Sequence, residues 1–244
     1  MPEVAVEREG SGPELLLLVH GGSSPRITWQ ALRPLASRWT LLVVHRRGYP
    51  PSPPGDHDFD VDAEDLAPLL AERPHVMAHS YGALGSLIAA GRNPSGVRSV
   101  TLIEPPLFYL AGGDAAVEEL EAMSTAVLTQ GLDADPETLR RFLLLAGAPP
   151  IAEGPLPANL AHTVSRAHGG RLPGEARPAL DALREAGVPA LVASGGHSEA
   201  LERICDGLAE QLAGERLVIA GAGHFVQNAL SFGPELERHL RAAA

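Results

Sequence analysis

The sequence predicts an α/β fold built on a mostly parallel sheet. Short runs that are apolar at consecutive positions recur along the chain, as expected of strands buried on both faces of a parallel sheet. Longer segments of helical character lie between these runs, which is the order of alternating strands and helices. The chain has 244 residues, of which 45% are hydrophobic and 20% are charged. It can therefore bury a sizeable core, as one large domain or as a domain with an insertion.

Seven of the apolar runs are predicted to be strands. They cover residues 4–8, 14–19, 40–45, 75–79, 97–103, 189–194 and 216–219. Helices are predicted near residues 28–37, 61–71, 82–91, 199–213 and 228–243. The helix near 61–71 has the clearest signals, because Asp58 or Asp60 can cap its start and its leucines share one face.

One long stretch, residues 105–186, contains helix signals but no convincing strand. Asp114 opens a first helical segment, and Asp135 followed by Pro136 is typical of the start of a second. Weaker helices are predicted at 158–166 and 179–186. Long insertions within a compact domain usually carry function, although structural padding is the alternative. We therefore predict a helical lid at 105–186 and a core formed by residues 1–104 and 187–244.

The charged residues and the single cysteine exclude several classes of protein. All 19 basic residues are arginine, so no lysine is available for Schiff-base chemistry or for a phosphate-binding loop. A formal net charge of −11 would repel nucleic acid and acidic membranes, so we expect neither as a partner. The lone Cys205 excludes an internal disulfide, and the charged start of the chain does not resemble a signal peptide. We therefore expect a cytoplasmic protein.

The strongest chemical signal is the run Met77-Ala78-His79-Ser80-Tyr81-Gly82. It ends an apolar run and opens a segment of small residues, so a strand, a sharp turn and a helix are predicted to meet at Ser80. This is the context of the nucleophile elbow Gly-x-Ser-x-Gly, in which small flanking residues allow a strained turn that exposes the hydroxyl. Ala78 replaces the first glycine and keeps this steric condition. Ser80 is the predicted nucleophile, and an ordinary turn serine is the alternative.

A glycine-rich turn, His20-Gly21-Gly22-Ser23, directly follows the second predicted strand. Its glycines can bring backbone N–H groups close to a ligand. Acyl transfer needs two preorganised donors for the developing oxyanion, one from such a loop and one from the residue after the nucleophile. We predict that Gly22, with Ser23 as the next choice, and Tyr81 supply them. Alternatively, the turn is only a tight connection.

His224 lies in the run Gly223-His224-Phe225, after the last predicted strand and before the final helix. A histidine at this position can reach the sheet edge that carries Ser80. It would take the serine proton during attack and return it to the leaving group, because an imidazole titrates near neutral pH. A histidine that only caps a loop is the alternative.

These three elements, taken in order, make the chain resemble the α/β-hydrolase fold superfamily. The resemblance covers nearly the whole chain, and it extends to Arg46-Arg47-Gly48-Tyr49 and to Glu104-Pro105-Pro106. It implies an eight-stranded, mostly parallel sheet with helices on both faces and a lid after the sixth strand. It also implies a triad of serine, acid and histidine that works without a metal or an organic cofactor.

The acid departs from the pattern of this superfamily. Relatives commonly place an aspartate just past the seventh strand, where this chain has His197. Glu104 is the best substitute, because some members carry the acid after the sixth strand. It also directly follows an apolar run, so it should emerge at the carboxyl edge of the sheet. Glu199, or no carboxylate at all, is the alternative, since a glutamate at the start of a helix is adequately explained by the helix dipole.

The remaining histidines do not predict a metal site. His57 lies between two aspartates, but a solvated turn before a helix explains that composition better. His162 and His168 are six positions apart, which is too far for one helical face. We therefore expect no metal.

The sequence thus predicts a serine hydrolase that cleaves an ester or thioester of a small to medium apolar acyl group through an acyl-enzyme. Four residues of the predicted lid could line the acyl pocket: Leu107, Phe108, Met123 and Leu143. The same fold could instead support a lyase, a cyclase or carbon–carbon cleavage. A catalytically silent ligand-binding protein is the third possibility.

Overall fold

The computed structural model describes residues 4–243, which form an α/β fold around a single sheet. The strands are β1 (Val6–Glu9), β2 (Leu15–Val19), β3 (Thr40–Val44), β4 (His75–His79), β5 (Ser99–Ile103), β6 (Ala190–Ser194) and β7 (Glu215–Val218). Their order across the sheet is β1-β3-β2-β4-β5-β6-β7. β1 pairs antiparallel with β3, and all the other pairings are parallel. All seven strands predicted from the apolar runs are confirmed.

The described sheet has seven strands, so the eight implied by the resemblance are wrong for this part of the chain. The antiparallel strand β1 forms one edge of the sheet and starts at Val6. Only two described residues precede it, which is too few for a further strand beside it. For the same reason, the stretch 105–186 follows the fifth strand of the described residues and not the sixth.

Helices cover both faces of the sheet, as predicted. Along β2, Leu17 and Val19 join one apolar cluster and Leu16 and Leu18 join the other, because successive side chains of a strand point to opposite faces. The first cluster is covered by α2 (Phe59–Leu66), α3 (Gly82–Arg92) and α8 (Glu199–Leu212). The second is covered by α1 (Pro25–Trp29) and α9 (Phe232–Ala242).

Capping side chains set the start of two predicted helices. The Asp58 carboxylate accepts hydrogen bonds from the N–H groups of Asp60 (2.8 Å) and Val61 (3.4 Å) at the start of α2. The Ser198 hydroxyl accepts the N–H of Leu201 at 3.4 Å at the start of α8. Both groups satisfy backbone donors that have no partner within the helix.

Three predicted helices differ from the structure at their ends. The one predicted at 28–37 is α-helical only in α1 and continues as a 3-10 helix over Gln30–Ser37, which contains Pro34. The one at 61–71 likewise becomes a 3-10 helix over Ala67–Glu72, at a proline. Proline has no N–H to donate and crowds the preceding turn, so an α-helix rarely continues through it. The last helix begins at Phe232, after a separate 3-10 turn at Val226–Asn228.

The stretch 105–186, called the inserted segment below, is helical and has no strand within the described residues. Its helices are α4 (Ala115–Gln130), α5 (Pro136–Leu145), α6 (Ala158–Ala167) and α7 (Leu180–Glu185). Asp114 and Asp135 cap α4 and α5, as predicted. Val127, Leu139 and Val164 join the first three of these helices in a small apolar cluster. None of the described helices has the length and apolar character needed to cross a bilayer.

Candidate active site

Ser80 occupies a sharp turn between β4 and α3. Its φ of +52° lies in the left-handed region, which is uncommon for a residue with a Cβ. Two glycines make room for this turn. A Cβ on Gly82 would collide with the carbonyl oxygen of His20, and a Cβ on Gly21 would lie 2.8 Å from the Cβ of Ser80. The predicted strand, turn and helix therefore meet at Ser80.

Glu104 has the same backbone conformation directly after β5, with a φ of +45°. The other two non-glycine residues with positive φ in the described chain, Arg73 and Ala213, end helices. No helix end explains the positive φ of Ser80 and Glu104, which directly follow the neighbouring strands β4 and β5. Backbone strain of this kind costs about 1–3 kcal/mol and concentrates at functional sites.

The side chains of His224 and Glu104 are hydrogen-bonded in the interior. His224 Nδ1 lies 2.6 Å from Glu104 Oε2, and the two side chains are 9% and 0% exposed. An ionised carboxylate only accepts hydrogen bonds, so Nδ1 of His224 carries the proton of this contact. In the neutral ring, Nε2 is then the nitrogen that can accept a proton.

The second oxygen of Glu104 also has partners. Oε1 accepts the backbone N–H of Gly195 at 2.8 Å, and Nδ1 of His197 lies 3.4 Å from it. Burial raises the pKa of Glu104, but its contacts with His197 and His224 outweigh burial and hold this pKa at about 2. Glu104 is therefore ionised at neutral pH, with both oxygens occupied.

Glu199, the alternative acid, points away from this arrangement. It lies at the start of α8 with its side chain 69% exposed, and its carboxylate is 3.2 Å from Arg203. Of the three possibilities that the sequence left open, the structure brings Glu104 to His224. His197, which stands where the acid was expected, contacts the carboxylate instead of replacing it.

The turn after β2 is fixed by two side chains from the loop after β3. Arg46 Nη1 donates to the carbonyl oxygen of Gly21 at 3.0 Å, and the Tyr49 hydroxyl donates to that of Gly22 at 2.7 Å. The C=O and N–H of a planar peptide point in opposite directions, so anchoring the Gly21 carbonyl also fixes the direction of the Gly22 N–H. Arg46 is itself held by Asp62, at 2.6 Å, in a buried ion pair.

A cavity of about 300 Å³ lies beside Ser80, and its wall is mostly apolar. The predicted site residues in this wall are Gly22, Ser80, Tyr81, Glu104, Phe108, Leu143 and His224. The structure therefore brings the candidate nucleophile, base, acid and oxyanion donors together with two of the four predicted pocket residues.

The other two predicted pocket residues, Leu107 and Met123, do not line this cavity, because both pack in the main core. On α4 the cavity is lined by Leu120, Ser124 and Leu128. Met123 lies about 100° around the helix from Ser124, so it points to a different neighbour. Leu107 is fully buried, and its N–H donates to the carbonyl of Pro105 at 2.9 Å in a tight turn.

His57 is a wall residue that the sequence interpretation missed. It is 3% exposed instead of solvated, with its ring stacked on Tyr49 at 5.6 Å and lying 5.5 Å from the ring of Tyr81. Burial, followed by the charges of Arg46 and Arg166, lowers the pKa of His57 to about 3. The ring is therefore neutral at physiological pH. The neighbouring aspartates indicated a solvent-exposed turn. They carry no information about Tyr49 and Tyr81, which enclose the ring.

His79 was also missed, since it occupies the variable position before the elbow serine. Its Nε2 donates to the carbonyl oxygen of His224 at 2.9 Å. Burial lowers the pKa of His79 to about 3, so the ring stays neutral and keeps this bond. His79 thereby ties the backbone of the candidate base to the strand that carries Ser80.

One group of described residues has the spacing of a metal site. Glu104, His197 and His224 each offer a ligand atom, and these atoms lie within 4.8 Å of one another. Both oxygens of Glu104 already accept hydrogen bonds, from Gly195 and His224. Hydrogen bonds within the group account for this geometry, so we assign no metal to it.

Curated relatives of the chain are esterases and hydrolases. It is 32% identical over 151 residues to pimeloyl-[acyl-carrier protein] methyl ester esterase of Aeromonas hydrophila, a match that covers 58% of this chain and 57% of the relative. It is 27% identical over 241 residues to 2-(acetamidomethylene)succinate hydrolase of Mesorhizobium japonicum, covering 91% and 84%. The first match thus spans less than two thirds of that esterase.

Solved structures share the whole fold. A thermophilic esterase from Thermogutta terrifontis superimposes with a TM-score of 0.71 at 20% identity, covering 98% of this chain and 93% of the other. At that identity the likeness concerns the fold alone. Residues 16–229 match the model of the alpha/beta hydrolase family, and the chain belongs to that family.

Proposed function

We propose that the protein is a serine hydrolase that cleaves an ester or thioester of a small to medium apolar acyl group. One observation carries this proposal: the 2.6 Å hydrogen bond between His224 and Glu104 in the wall of the cavity that also contains Ser80. The curated relatives that are named methyl ester esterases support an ester as the substrate.

In acylation, Nε2 of His224 takes the hydroxyl proton as Oγ of Ser80 attacks the carbonyl carbon. The negative charge that develops on the carbonyl oxygen is stabilised by the N–H groups of Gly22 and Tyr81. Loss of one such donor typically costs about 10²–10³ in turnover. Glu104 compensates the imidazolium. His224 then passes the proton to the departing alcohol or thiol, and the acyl group remains on Ser80.

Deacylation repeats the same proton transfers with water. His224 takes a proton from the water molecule that attacks the acyl-enzyme. The second tetrahedral intermediate uses the same oxyanion donors. As the bond to Ser80 breaks, His224 returns the proton to the serine, and the carboxylic acid leaves. No group beyond the triad and the two backbone donors is needed for a full turnover.

We propose that the inserted segment, residues 105–186, acts as a lid on a core formed by residues 1–104 and 187–244. This segment supplies Phe108, Leu120, Leu128 and Leu143 to the apolar wall. Burial of an acyl chain against them is favourable by about 25 cal/mol per Å² of apolar surface. A cavity of about 300 Å³ lies at the small end of the range for ligand pockets, which supports short and medium chains.

The wall also favours an uncharged acyl group. None of the described residues that line the cavity is arginine, and the chain has no lysine. An anionic group would lose its water there without gaining a cation, which is costly in an apolar site. The relative from Mesorhizobium japonicum is named for a succinate. We expect this chain to prefer neutral esters over such anionic substrates.

A fluorophosphonate probe tests the nucleophile directly. The protein should become labelled, and Ser80→Ala should abolish labelling while the variant folds as the wild type does, because the change removes one hydroxyl from the cavity wall and no core volume. A scan of p-nitrophenyl esters of increasing chain length, acyl thioesters and lactones then defines the substrate. Labelling that survives Ser80→Ala, or ester turnover by that variant, would refute the assignment. Absent labelling would favour a binding protein.

A further inference from the structure

His197 faces an acceptor oxygen with each of its ring nitrogens. Nε2 lies 3.0 Å from the carbonyl oxygen of Leu145, the last residue of α5. Nδ1 is buried and lies 3.4 Å from Oε1 of Glu104, a contact of ion-pair length whose geometry is not that of a regular hydrogen bond. A carbonyl or carboxylate oxygen accepts hydrogen bonds and cannot donate them. A neutral imidazole has one N–H, so it would turn a lone pair toward one of these oxygens. Only the imidazolium places an N–H toward both.

The charges around His197 favour the same form. Glu104 is in direct contact, and Glu202 accepts a hydrogen bond from the backbone of the same loop at 3.0 Å. Glu202 also pairs with Arg216 at 2.5 Å, which offsets part of its charge. The ring of His224 lies 6.1 Å away. The contact with Glu104 raises the pKa of His197, and burial opposes this effect.

A charged His197 is not needed to hold Glu104 in place. The N–H of Gly195 and the ring of His224 already occupy its two oxygens. It is not the sole support of the ionised form of Glu104 either, because hydrogen bonding with His224 also lowers the pKa of that carboxyl. A charge on His197 is therefore expected to act at the step that changes the charge of the group formed by Glu104, His197 and His224.

That step is the transfer of the serine proton to His224. The transfer places a positive charge on His224 and a negative charge on the carbonyl oxygen of the substrate. His197 contacts Glu104 on the Nδ1 side of His224, whereas the oxyanion forms on the side of Nε2 and Ser80. A proton on His197 therefore repels the nearer charge more strongly than it attracts the farther one, so it opposes the reaction.

We propose that His197 is a positioning residue that acts through Glu104: it is protonated in the resting protein, restrains turnover at neutral pH, and accelerates turnover when it loses its proton. This inference rests on the proposed function. At a ring separation of 6.1 Å and an effective dielectric constant of about 20, repulsion between two charges corresponds to at most about a hundredfold in rate. Because solvent and Glu202 screen this repulsion, we expect about three- to thirtyfold.

The first test measures the charge of His197 without any substrate. In ¹⁵N-labelled protein, both ring nitrogens of His197 should give the signals of a protonated imidazole at pH 7, and His197→Gln assigns those signals by removing them. A His197 that is neutral at pH 7 overturns the inference, whatever the activity. A protonated His197 in a protein that the fluorophosphonate does not label overturns the proposed function and, with it, the rate effect.

The second test compares pH profiles of kcat and KM. The wild type should show two successive rises in kcat with pH. His197→Gln should show one rise, a kcat at pH 7 about three- to thirtyfold higher, and an unchanged KM. The exposed His162, changed to Gln, is the matched control and should keep both rises. A His197→Gln profile with the shape of the wild type, or a lower kcat without a change of shape, would leave His197 with a structural role only.

Discussion

The carboxylate of Glu104 and the imidazole of His224 form a 2.6 Å hydrogen bond although the two residues lie 120 positions apart in the chain. Glu104 directly follows β5, and His224 lies beyond β7. The carboxyl ends of parallel strands share one edge of the sheet, which brings distant loops together there. This bond orients the ring that the proposed chemistry uses.

Glu104→Gln should lower kcat by at least about a hundredfold with little change in KM. An amide can still occupy the space, but it cannot compensate the imidazolium that forms in the transition state, and loss of this carboxylate in a serine protease costs about 10⁴. Steady-state kinetics on the best ester from the scan provides the measurement.

Glu199→Gln is the matched control and should cost less than about fivefold, since its exposed carboxylate pairs with Arg203. The opposite ranking of the two variants would move the acid to Glu199. If both variants were close to the wild type, Ser80 and His224 would work as a dyad.

Gly21→Ala should remove most of the activity, whereas Gly22→Ala should cost less than about tenfold. An alanine Cβ at position 21 would lie 2.8 Å from the Cβ of Ser80 and 2.9 Å from the carbonyl oxygen of His79, so the elbow must shift. At position 22 a Cβ meets nothing within 4 Å, and the N–H donor is kept. A small misplacement of reacting groups can cost about a hundredfold.

Labelling rates with the fluorophosphonate probe, together with circular dichroism of both glycine variants, separate a displaced elbow from an unfolded protein. Equal labelling of the two variants would show that the close approach of Gly21 to Ser80 does not matter for reactivity.

Ser124→Phe should shift the preferred ester toward shorter acyl chains. Ser124 lines the cavity on α4, and a phenyl ring there would fill part of about 300 Å³. Met123→Leu is the control, because Met123 packs in the core and the swap nearly conserves volume. The ratio of kcat/KM for a hexanoate ester to that for an acetate ester should fall in Ser124→Phe only. An unchanged ratio would place the acyl group elsewhere.

His57→Phe should make the fold less sensitive to acid. The pKa of His57 is about 3 in the folded protein, whereas a histidine in an unfolded chain titrates near 6.5. As the pH falls below about 6.5, the unfolded chain binds a proton that the folded protein does not, so stability decreases. Between pH 7 and pH 4 this difference amounts to about 3 kcal/mol.

Urea unfolding at pH 7 and pH 4 measures the effect. Phenylalanine can keep the stacking on Tyr49 but cannot titrate, so the variant should lose about 3 kcal/mol less than the wild type between these pH values. The exposed His162, changed to Phe, should lose as much as the wild type. Parallel losses in all three proteins would mean that His57 is accessible to protons in the folded state.

Local patterns were enough to predict most of the framework. The seven strands, the caps at Asp58, Asp114 and Asp135, and the turn at Ser80 all depend on residues close together in the chain. Strand burial and helix capping involve such neighbours directly, which is why their sequence signals are strong. The eighth strand came from the resemblance and not from an apolar run, and the described residues do not contain it.

The direction of individual side chains was less predictable. Leu107 and Met123 are as apolar as Phe108 and Leu143, yet only the second pair lines the cavity. Their difference depends on which neighbour each side chain meets, and the spacing of apolar residues does not encode that. His57 shows the converse, since its burial depends on Tyr49 and Tyr81 from other parts of the chain.

The sequence by itself determined that a glycine-rich turn, a serine and a histidine follow three different apolar runs, which is a property of their order along the chain. It favoured Glu104 as the acid, with Glu199 or no acid as the alternatives. Only the tertiary structure shows which carboxylate lies beside His224, because the packing of β5, β6 and β7 side by side places the carboxylate of Glu104 between His197 and His224 and leaves Glu199 mostly in solvent.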